Sequence, residues 1–387
     1  MVDLAQPSSA LAEFVETLAL VDHHVHGAFG ADGTRSRFEN ALNEGSTDPL
    51  PDFVSGFDSQ LGFAVRRFCA PLLDLEPHAP ADEYWARRVE LGEQEVNRRF
   101  LGSAGVSDWV IDTGYAGPDS YGLAEMTAMT GSPCHEIVRL ETIAEGIITD
   151  GSADYALRFR SELAVAVARG AVGSKTVFAY RSGFDIDQSR PSEADVSSAA
   201  SAWHRSTRDG VRPRLTDPVL LAFGLFAAVD AGLPLQIHVG FGDRDLDLHR
   251  ANPMLLLPFL RNPEVTRVPV LLLHCYPFER EAGYLAQSFA NVYLDVGLAL
   301  NYLGARSVEL VARSYELAPF AKVLYSSDAW GPSELHYLGA RLWRNAVSTV
   351  IGGWVARGDW SFHDAQRVIR LSASGNARRA YGLEPIA

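Results

Sequence analysis

Two histidines separated by one residue, His24 and His26, close an apolar stretch near the start of the chain. Side chains two residues apart on a β-strand project from the same face, so both imidazoles could bind one metal ion. His23 would point to the opposite face, and we interpret it as a packed or capping histidine. The pair alone is equally compatible with a polar patch at a strand end. The hypothesis of a metal site therefore depends on whether distant residues complete it.

Further polar side chains interrupt or end apolar segments along the chain, namely Lys175, His238, His274 and Asp328. A polar group in such a segment costs free energy unless it has a partner. One such histidine is more often a hydrogen-bonded core residue than a metal ligand. Several such groups that a single fold would bring together favour the metal site.

Eight segments predict short apolar strands, and they lie at 20–25, 109–115, 135–142, 171–180, 234–240, 269–275, 292–297 and 322–328. Strands this uniformly apolar are covered on both faces, as parallel sheets are. Nearly all are followed by a helical segment, so the chain predicts an α/β fold, a (β/α)8 TIM barrel of the metal-dependent hydrolase type. The active site of such a barrel lies at the carboxyl ends of its strands, where the polar groups are expected.

The domain organisation follows from the same pattern. We expect a single domain over 1–387, with a helical insertion at 30–105 after the first strand. Within that insertion, 62–75 and 82–100 predict helices. A further amphipathic helix is expected at 153–169, and Gly170 suits a left-handed cap at its end.

The main rival fold is an open doubly wound sheet that binds a dinucleotide. Its glycine fingerprint is missing, because Gly240 and Gly242 follow a strand but Asp245 stands at the third glycine position. The chain also has no G-x-S-x-G elbow, which removes the usual serine-hydrolase interpretation.

Composition excludes several classes of partner. The formal net charge of −14 argues against binding a phosphate backbone, so no nucleic acid partner is expected. Three scattered cysteines suit a reducing compartment rather than a disulfide framework. The first residues carry no basic region or long apolar core, and no segment approaches a membrane span. We therefore expect a soluble, unprocessed, cytoplasmic protein without a membrane partner, and homo-oligomerisation stays open.

Together these residues resemble a known family. The Asp-x-His-x-His pattern on the first strand, with histidine, histidine and aspartate on later strands, resembles the amidohydrolase superfamily of metal-dependent TIM-barrel enzymes. The motifs K-T-V-F-A-Y-R-S-G (175–183), L-H-C-Y-P (273–277) and L-Y-S-S-D-A-W-G-P (324–332) resemble the amidohydrolase half of FluG-type proteins. Those proteins carry a glutamine-synthetase-like domain after the barrel, so this chain would be a free-standing version.

The resemblance implies roles for individual residues. The divalent ion, most plausibly Zn2+, would be bound by His24, His26, His238 and Asp328. Asp328 would also carry protons to and from the metal-activated water and the leaving amine. His274 would polarise the carbonyl or hold a second ion. Lys175 would bridge two ions when carboxylated, or act as a cationic electrophile or clamp beside one ion; one ion is favoured.

Substrate recognition is implied less directly. Arg181 and Arg250 are placed to bind a carboxylate, although each is equally compatible with a surface or capping role. Tyr276 and Trp330 follow metal-binding strands and would line the pocket. We therefore expect hydrolysis of the C–N amide bond of a small acidic substrate, with a γ-glutamyl amide as the specific candidate.

Two alternatives remain at this stage. The aminocarboxymuconate-semialdehyde and resorcylate decarboxylases share the barrel and the same ligand set, so a metal-dependent non-oxidative decarboxylase is the main one. The other is a metal-binding regulatory protein without turnover, which an intact ligand set makes the weaker interpretation.

Overall fold

The computed structural model describes residues 9–45, 48–115, 117, 119–207 and 210–384. The first eight residues, on which the expectation of an unprocessed N-terminus rests, lie outside this set. Within the described residues, no helix is long and apolar enough to cross a membrane.

The structure is a mixed α/β protein built on one sheet of seven parallel strands. Neighbouring strands in the sheet are also consecutive in the chain, and they are β1 (Leu20–Val25), β2 (Val106–Asp112), β3 (Cys134–Arg139), β4 (Gly173–Thr176), β5 (Leu235–His238), β6 (Val270–Leu273) and β7 (Val292–Leu294). Parallel strands are thus confirmed at seven of the predicted places. The second strand begins at Val106, earlier than its apolar core suggested.

The eighth predicted strand, at 322–328, does not form in the part of the chain that the structure describes. An irregular segment at 323–331 lies there instead and hydrogen-bonds to both edges of the sheet. The Leu324 amide donates to the Leu294 carbonyl of β7 at 2.9 Å, and the Asp328 amide donates to the His24 carbonyl of β1 at 3.1 Å. Asp328 has a left-handed φ of 49°, which interrupts a regular ladder.

Helices cover the sheet and fill the long connection between β1 and β2. In chain order they are α1 (Ser9–Glu16), α2 (Arg35–Ala41), α3 (Gln60–Ala64), α4 (Ala81–Leu91), α5 (Glu93–Ser103), α6 (Leu123–Thr130), α7 (Leu140–Thr149), α8 (Tyr155–Arg169), α9 (Phe178–Ser182), α10 (Glu193–Ser206), α11 (Pro218–Asp230), α12 (Leu257–Leu260), α13 (Glu279–Ser288), α14 (Ala299–Leu303), α15 (Ser307–Ser314), α16 (Ser333–Ala356), α17 (Phe362–Arg370) and α18 (Asn376–Tyr381). Short 3-10 or π segments join several of them. The predicted left-handed cap is confirmed, since α8 ends at Gly170 with φ 104°.

The hydrophobic core lies in two main clusters. The larger one joins the strands to the surrounding helices. The smaller one joins the C-terminal helix α18, including Tyr381, to strand residues such as Val21, Ile137 and Leu271. The C-terminal helix α18 therefore contacts β1 and β6, the strands that lead to His24 and His274.

A buried ion cluster fastens α4 and α5 to the long helix α16. The Arg88 guanidinium donates two hydrogen bonds to Glu93, at 2.7 and 2.8 Å, and its Nε donates to Glu334 at 2.8 Å. All three side chains are at most 5% exposed. One guanidinium thus balances two carboxylates away from water.

Replacing Arg88 by leucine is expected to lower the free energy of unfolding by about 3–5 kcal/mol, because it leaves two buried carboxylates without a cationic partner. Urea unfolding followed by circular dichroism measures the change. The control is Arg98→Leu, since Arg98 is 65% exposed in its pair with Glu95 and its replacement should leave stability close to that of wild type. Equal stability of the two variants would contradict this account.

Candidate active site

The predicted histidine pair lies at the end of β1, where the strand is irregular. The pairing of β1 with β2 changes register between Asp22 and Val25, and such a bulge re-aims side chains. His24 and His26 are both buried, with ring centroids 5.2 Å apart. His23 lies outside the candidate metal groups. Hydrogen bonds through Tyr381 and Gln236 connect its ring to the ring of His24.

The Asp328 carboxylate is the point at which the predicted residues meet. Its Oδ1 lies 3.0 Å from His24 Nε2 and 3.5 Å from His26 Nε2, and its Oδ2 lies 3.4 Å from His274 Nδ1. The ligand atoms of His24, His274 and Asp328 all fall within 4.8 Å of one another, which makes them a candidate metal-binding group. The structure therefore brings together four residues that are between 2 and 304 positions apart in sequence.

The hydrogen bonds of His24 show what this cluster is built to hold. Its Nδ1 lies 2.8 Å from Gln236 Oε1, which can only accept, so Nδ1 carries the proton. The Nε2 lone pair therefore faces the Asp328 carboxylate at 3.0 Å, an arrangement that a cation between them would stabilise. Both ring nitrogens of His274 and Oδ1 of Asp328 have no hydrogen-bond partner among the described residues. Imidazole nitrogens and carboxylate oxygens without hydrogen-bond partners are donor atoms that suit a divalent metal ion.

The protonation states of the cluster agree with this interpretation. Burial lowers the pKa of His24 to about 3 and that of His274 to about 4, so both rings are neutral at pH 7. Burial alone would raise the pKa of Asp328, but the neighbouring His274 and His24 hold it well below its usual range. Neutral imidazoles and an ionised carboxylate are the forms that bind metal.

The backbone is strained where β6 ends and at 328. His274 has φ 71° and Asp328 has φ 49°, values in the left-handed region that are uncommon outside glycine. The Asp295 carboxylate, which follows β7, accepts a hydrogen bond from the His274 amide at 3.0 Å and supports this conformation. Such strain persists where the surrounding structure imposes it, and it clusters at functional sites.

Lys175 and His238 adjoin the cluster in different ways. Lys175 Nζ lies 3.1 Å from His24 Nε2, and burial lowers the pKa of this amine to about 8. Its ammonium can therefore donate to the nitrogen that a metal would need. His238 has its ring centroid 4.5 Å from that of His274, but its Nε2 donates to the Phe241 carbonyl at 3.1 Å. That bond leaves Nδ1 as the ring nitrogen of His238 with a free lone pair.

Sequence reasoning missed Asp112, which ends β2. With His24 and His26 it forms a second candidate metal group, and its Oδ2 accepts a hydrogen bond from Arg139 Nη2 at 2.5 Å. The signal was present in the sequence, because Asp112 ends an apolar strand in the way that His238 does. It escaped because the strand was placed later in the chain, where Asp112 fell in its middle.

Two further carboxyl groups near the site, Glu44 and Asp243, were not predicted as site residues; the sequence indicated for Asp243 only a loop over the barrel mouth. Burial raises the pKa of Glu44 to about 8 and that of Asp243 to about 6, and the charge of Asp328 adds to both shifts. The Tyr302 hydroxyl donates to Glu44 at 3.4 Å. No sequence pattern indicates Glu44, because it lies in the irregular stretch after β1.

The two arginines predicted to bind substrate line one cleft of about 250 Å³, together with Tyr180. Arg181 lies 3.1 Å from Glu145, and Arg250 Nε donates to Asp185 at 2.7 Å. Both guanidinium groups thus already have acidic partners. The Tyr180 ring lies 4.6 Å from the His238 ring, which connects this cleft with the candidate metal site.

The two aromatic residues predicted to line the pocket are half-buried next to ligand-bearing segments. Trp330 packs edge-on against Tyr115, and Tyr115 packs against His26 with ring centroids 5.3 Å apart. The Tyr276 ring contacts Phe241, the residue whose carbonyl accepts from His238. Each is therefore one side chain away from a predicted ligand.

Comparison with known proteins agrees with this geometry. An amidohydrolase family model matches residues 201–383. Protein fluG of Emericella nidulans is 26% identical over 97% of this chain, and the match spans 47% of that protein. The crystal structure of a proposed metal-dependent hydrolase from Lactobacillus casei is 27% identical, has a TM-score of 0.84, and covers 96% of this chain and 97% of that one. The predicted resemblance to the amidohydrolase superfamily is confirmed.

Other solved structures share the fold at lower identity. A uronate isomerase from Bacillus halodurans has a TM-score of 0.62 and 15% identity, and it covers 97% of this chain and 96% of that one. This likeness concerns the fold alone. The chain spans about half the length of the fluG protein that it matches. Together the comparisons and the His/Asp groups support a metal-dependent enzyme of the amidohydrolase type.

Proposed function

We propose that this protein is a metal-dependent amidohydrolase that cleaves the C–N amide bond of a small acidic substrate. The observation that carries the proposal is the convergence of three histidines on one ionised carboxylate, with His24 Nε2 held free of protons by Gln236. The metal would be one zinc ion, bound by His24, His26, His238 and Asp328. Binding by His238 would use Nδ1, or would require Nε2 to release the Phe241 carbonyl.

A divalent ion bound here would act as a Lewis acid, which lowers the pKa of a water and polarises a carbonyl. Asp328 supplies the proton transfer. Its low pKa keeps it ionised at neutral pH, so it accepts a proton when water attacks and returns the proton to the leaving amine. Its Oδ2 lies 3.4 Å from His274 Nδ1 and its Oδ1 lies 3.0 Å from His24 Nε2, so each oxygen has a histidine neighbour.

Lys175 and His274 would stabilise the developing negative charge. With its pKa at about 8, Lys175 is mainly cationic at pH 7, and its Nζ lies 3.1 Å from His24 Nε2. We assign it the role of electrophile or clamp beside a single ion. His274, neutral and without a hydrogen-bond partner among the described residues, is free to turn a ring nitrogen toward the substrate carbonyl.

The cleft beside Tyr180 is the place we assign to the acidic part of the substrate. Arg181 and Arg250 line it, and a guanidinium binds a carboxylate with two parallel hydrogen bonds. Tyr276 and Trp330 would line the opposite side. The γ-glutamyl amide as the specific substrate follows from the resemblance to FluG-type proteins.

We also propose that the fold is a single (β/α)8 barrel over 1–387, with 30–105 as a helical insertion. The support is the segment at 323–331, which lies in the place of an eighth strand and hydrogen-bonds to both β7 and β1. A cytoplasmic location is proposed on composition alone.

This function is tested by assaying the zinc-loaded protein with γ-glutamyl amides, leucyl amides and aromatic carboxylates. We expect amine release from γ-glutamyl amides, at a rate about 10- to 100-fold above that for leucyl amides, because the arginines favour an acidic substrate. Aromatic carboxylates should release no carbon dioxide. Carbon dioxide release without any amine would contradict the hydrolase and establish a decarboxylase.

A further inference from the structure

A continuous chain of hydrogen bonds runs beneath the candidate metal site. It links Asp295, His23, Tyr381, Gln236 and His24, in that order. Four of these residues are completely buried, and Tyr381 is 7% exposed. The chain joins β1, β5 and the residue after β7 to the C-terminal helix α18. None of these residues other than His24 has a role in the proposed reaction.

The direction of the first hydrogen bond follows from the Asp295 end. Asp295 Oδ1 already accepts from the amides of His274 and Gly297 and from the Ser326 hydroxyl, so this carboxylate acts as an acceptor. His23 Nε2, 3.0 Å away, must therefore carry a proton. His23 Nδ1 lies 3.0 Å from the Tyr381 hydroxyl, which also donates to the His23 carbonyl at 3.4 Å.

Gln236 connects Tyr381 to His24. Gln236 Nε2 can only donate, and it donates to the Tyr381 hydroxyl oxygen at 2.7 Å. The second proton on Gln236 Nε2 goes to the His23 carbonyl at 2.8 Å. Both amide protons are thus used, and the amide cannot rotate by half a turn without losing both acceptors. Its Oε1 is consequently presented to His24 Nδ1.

We propose that Gln236, oriented by Tyr381 and His23, is a positioning residue that fixes His24 with its proton on Nδ1 and its lone pair on Nε2. The outward nitrogen, which Lys175 Nζ approaches at 3.1 Å in the metal-free protein, then carries the lone pair that a divalent cation would bind. Partners of this kind commonly set the tautomer and ring orientation of a metal-binding histidine. The inference rests on the proposed metal-dependent function only in assigning the cation; the tautomer is a property of the metal-free protein.

Nitrogen-15 NMR of metal-free protein, with the His24 signals assigned through a His24 variant, tests the tautomer directly. Wild type should show His24 as Nδ1–H, and Gln236→Leu should lose that form. Gln236→Glu keeps an acceptor oxygen and should retain it. Zinc affinity, measured by competition with a chromophoric chelator, should fall about 10- to 100-fold in Gln236→Leu and about tenfold or less in Tyr381→Phe.

The matched control is Tyr155→Phe, which removes another buried tyrosine hydroxyl, one without a hydrogen-bond partner among the described residues. It should change neither the tautomer nor the zinc affinity. The proposal is overturned if wild-type His24 is Nε2–H, or if a folded Gln236→Leu keeps the Nδ1–H form. If wild type binds no divalent ion at all, the proposed function fails, while the tautomer assignment still stands or falls on the metal-free spectra.

Discussion

Replacing Asp328 by asparagine is expected to lower kcat/KM by about 10²- to 10⁴-fold, the range that loss of a general acid–base group produces. Asparagine has nearly the same shape but cannot accept and return a proton. It also weakens the contact with His24, His26 and His274, all of which lie within 3.5 Å of the carboxylate. The variant should therefore keep its fold and part of its metal affinity while turnover collapses.

Steady-state kinetics on zinc-loaded protein, with zinc content measured in the same samples, check this prediction. The control is Asp359→Asn, because Asp359 is 55% exposed and pairs with Arg357 on the surface. Its kinetics should match wild type. Unchanged activity in Asp328→Asn would remove Asp328 from the mechanism.

Replacing His24 by alanine is expected to lower zinc affinity by more than about 100-fold, because it removes a ligand rather than a group that only orients one. His24 is the residue shared by both candidate groups, the one with His26 and Asp112 and the one with His274 and Asp328. Its loss should therefore empty the site whichever group binds the ion. Activity should fall in parallel at limiting zinc.

Chelator competition and activity as a function of free zinc measure this loss. His135→Ala is the control, since His135 lies on β3 and pairs with Asp108 at 3.1 Å, outside both candidate groups. Wild-type zinc affinity in His24→Ala would show that the ion, if any, binds elsewhere.

Much of this site could be predicted because strands and polar interruptions are local signals. Apolar runs located seven of the strands, and a charged or imidazole group at the end of such a run is costly without a partner. His24, His274 and Asp328 were found in this way, although they lie on three different segments. Parallel topology then required that their side chains share one edge of the sheet.

The remaining features depend on non-local geometry. The irregular segment that lies in the place of the eighth strand is held by backbone hydrogen bonds to β7 and β1, which only the folded chain brings together. The register shift of β1 between Asp22 and Val25 also has no signal in the local sequence. Tyr381 lies far from the metal motif in sequence, and only the packed structure brings its hydroxyl within 2.7 Å of Gln236 Nε2. Glu44 follows β1 in an irregular stretch without a pattern.

The most direct test of the central claim is the metal content of protein purified without added metal, measured by elemental analysis. The proposed ligand set of His24, His26, His238 and Asp328 predicts about one equivalent of a divalent ion, with zinc as the expected element. About two equivalents would instead indicate two ions bridged by a carboxylated Lys175. Protein that contains no divalent metal, and takes up none when zinc is added, would contradict the account.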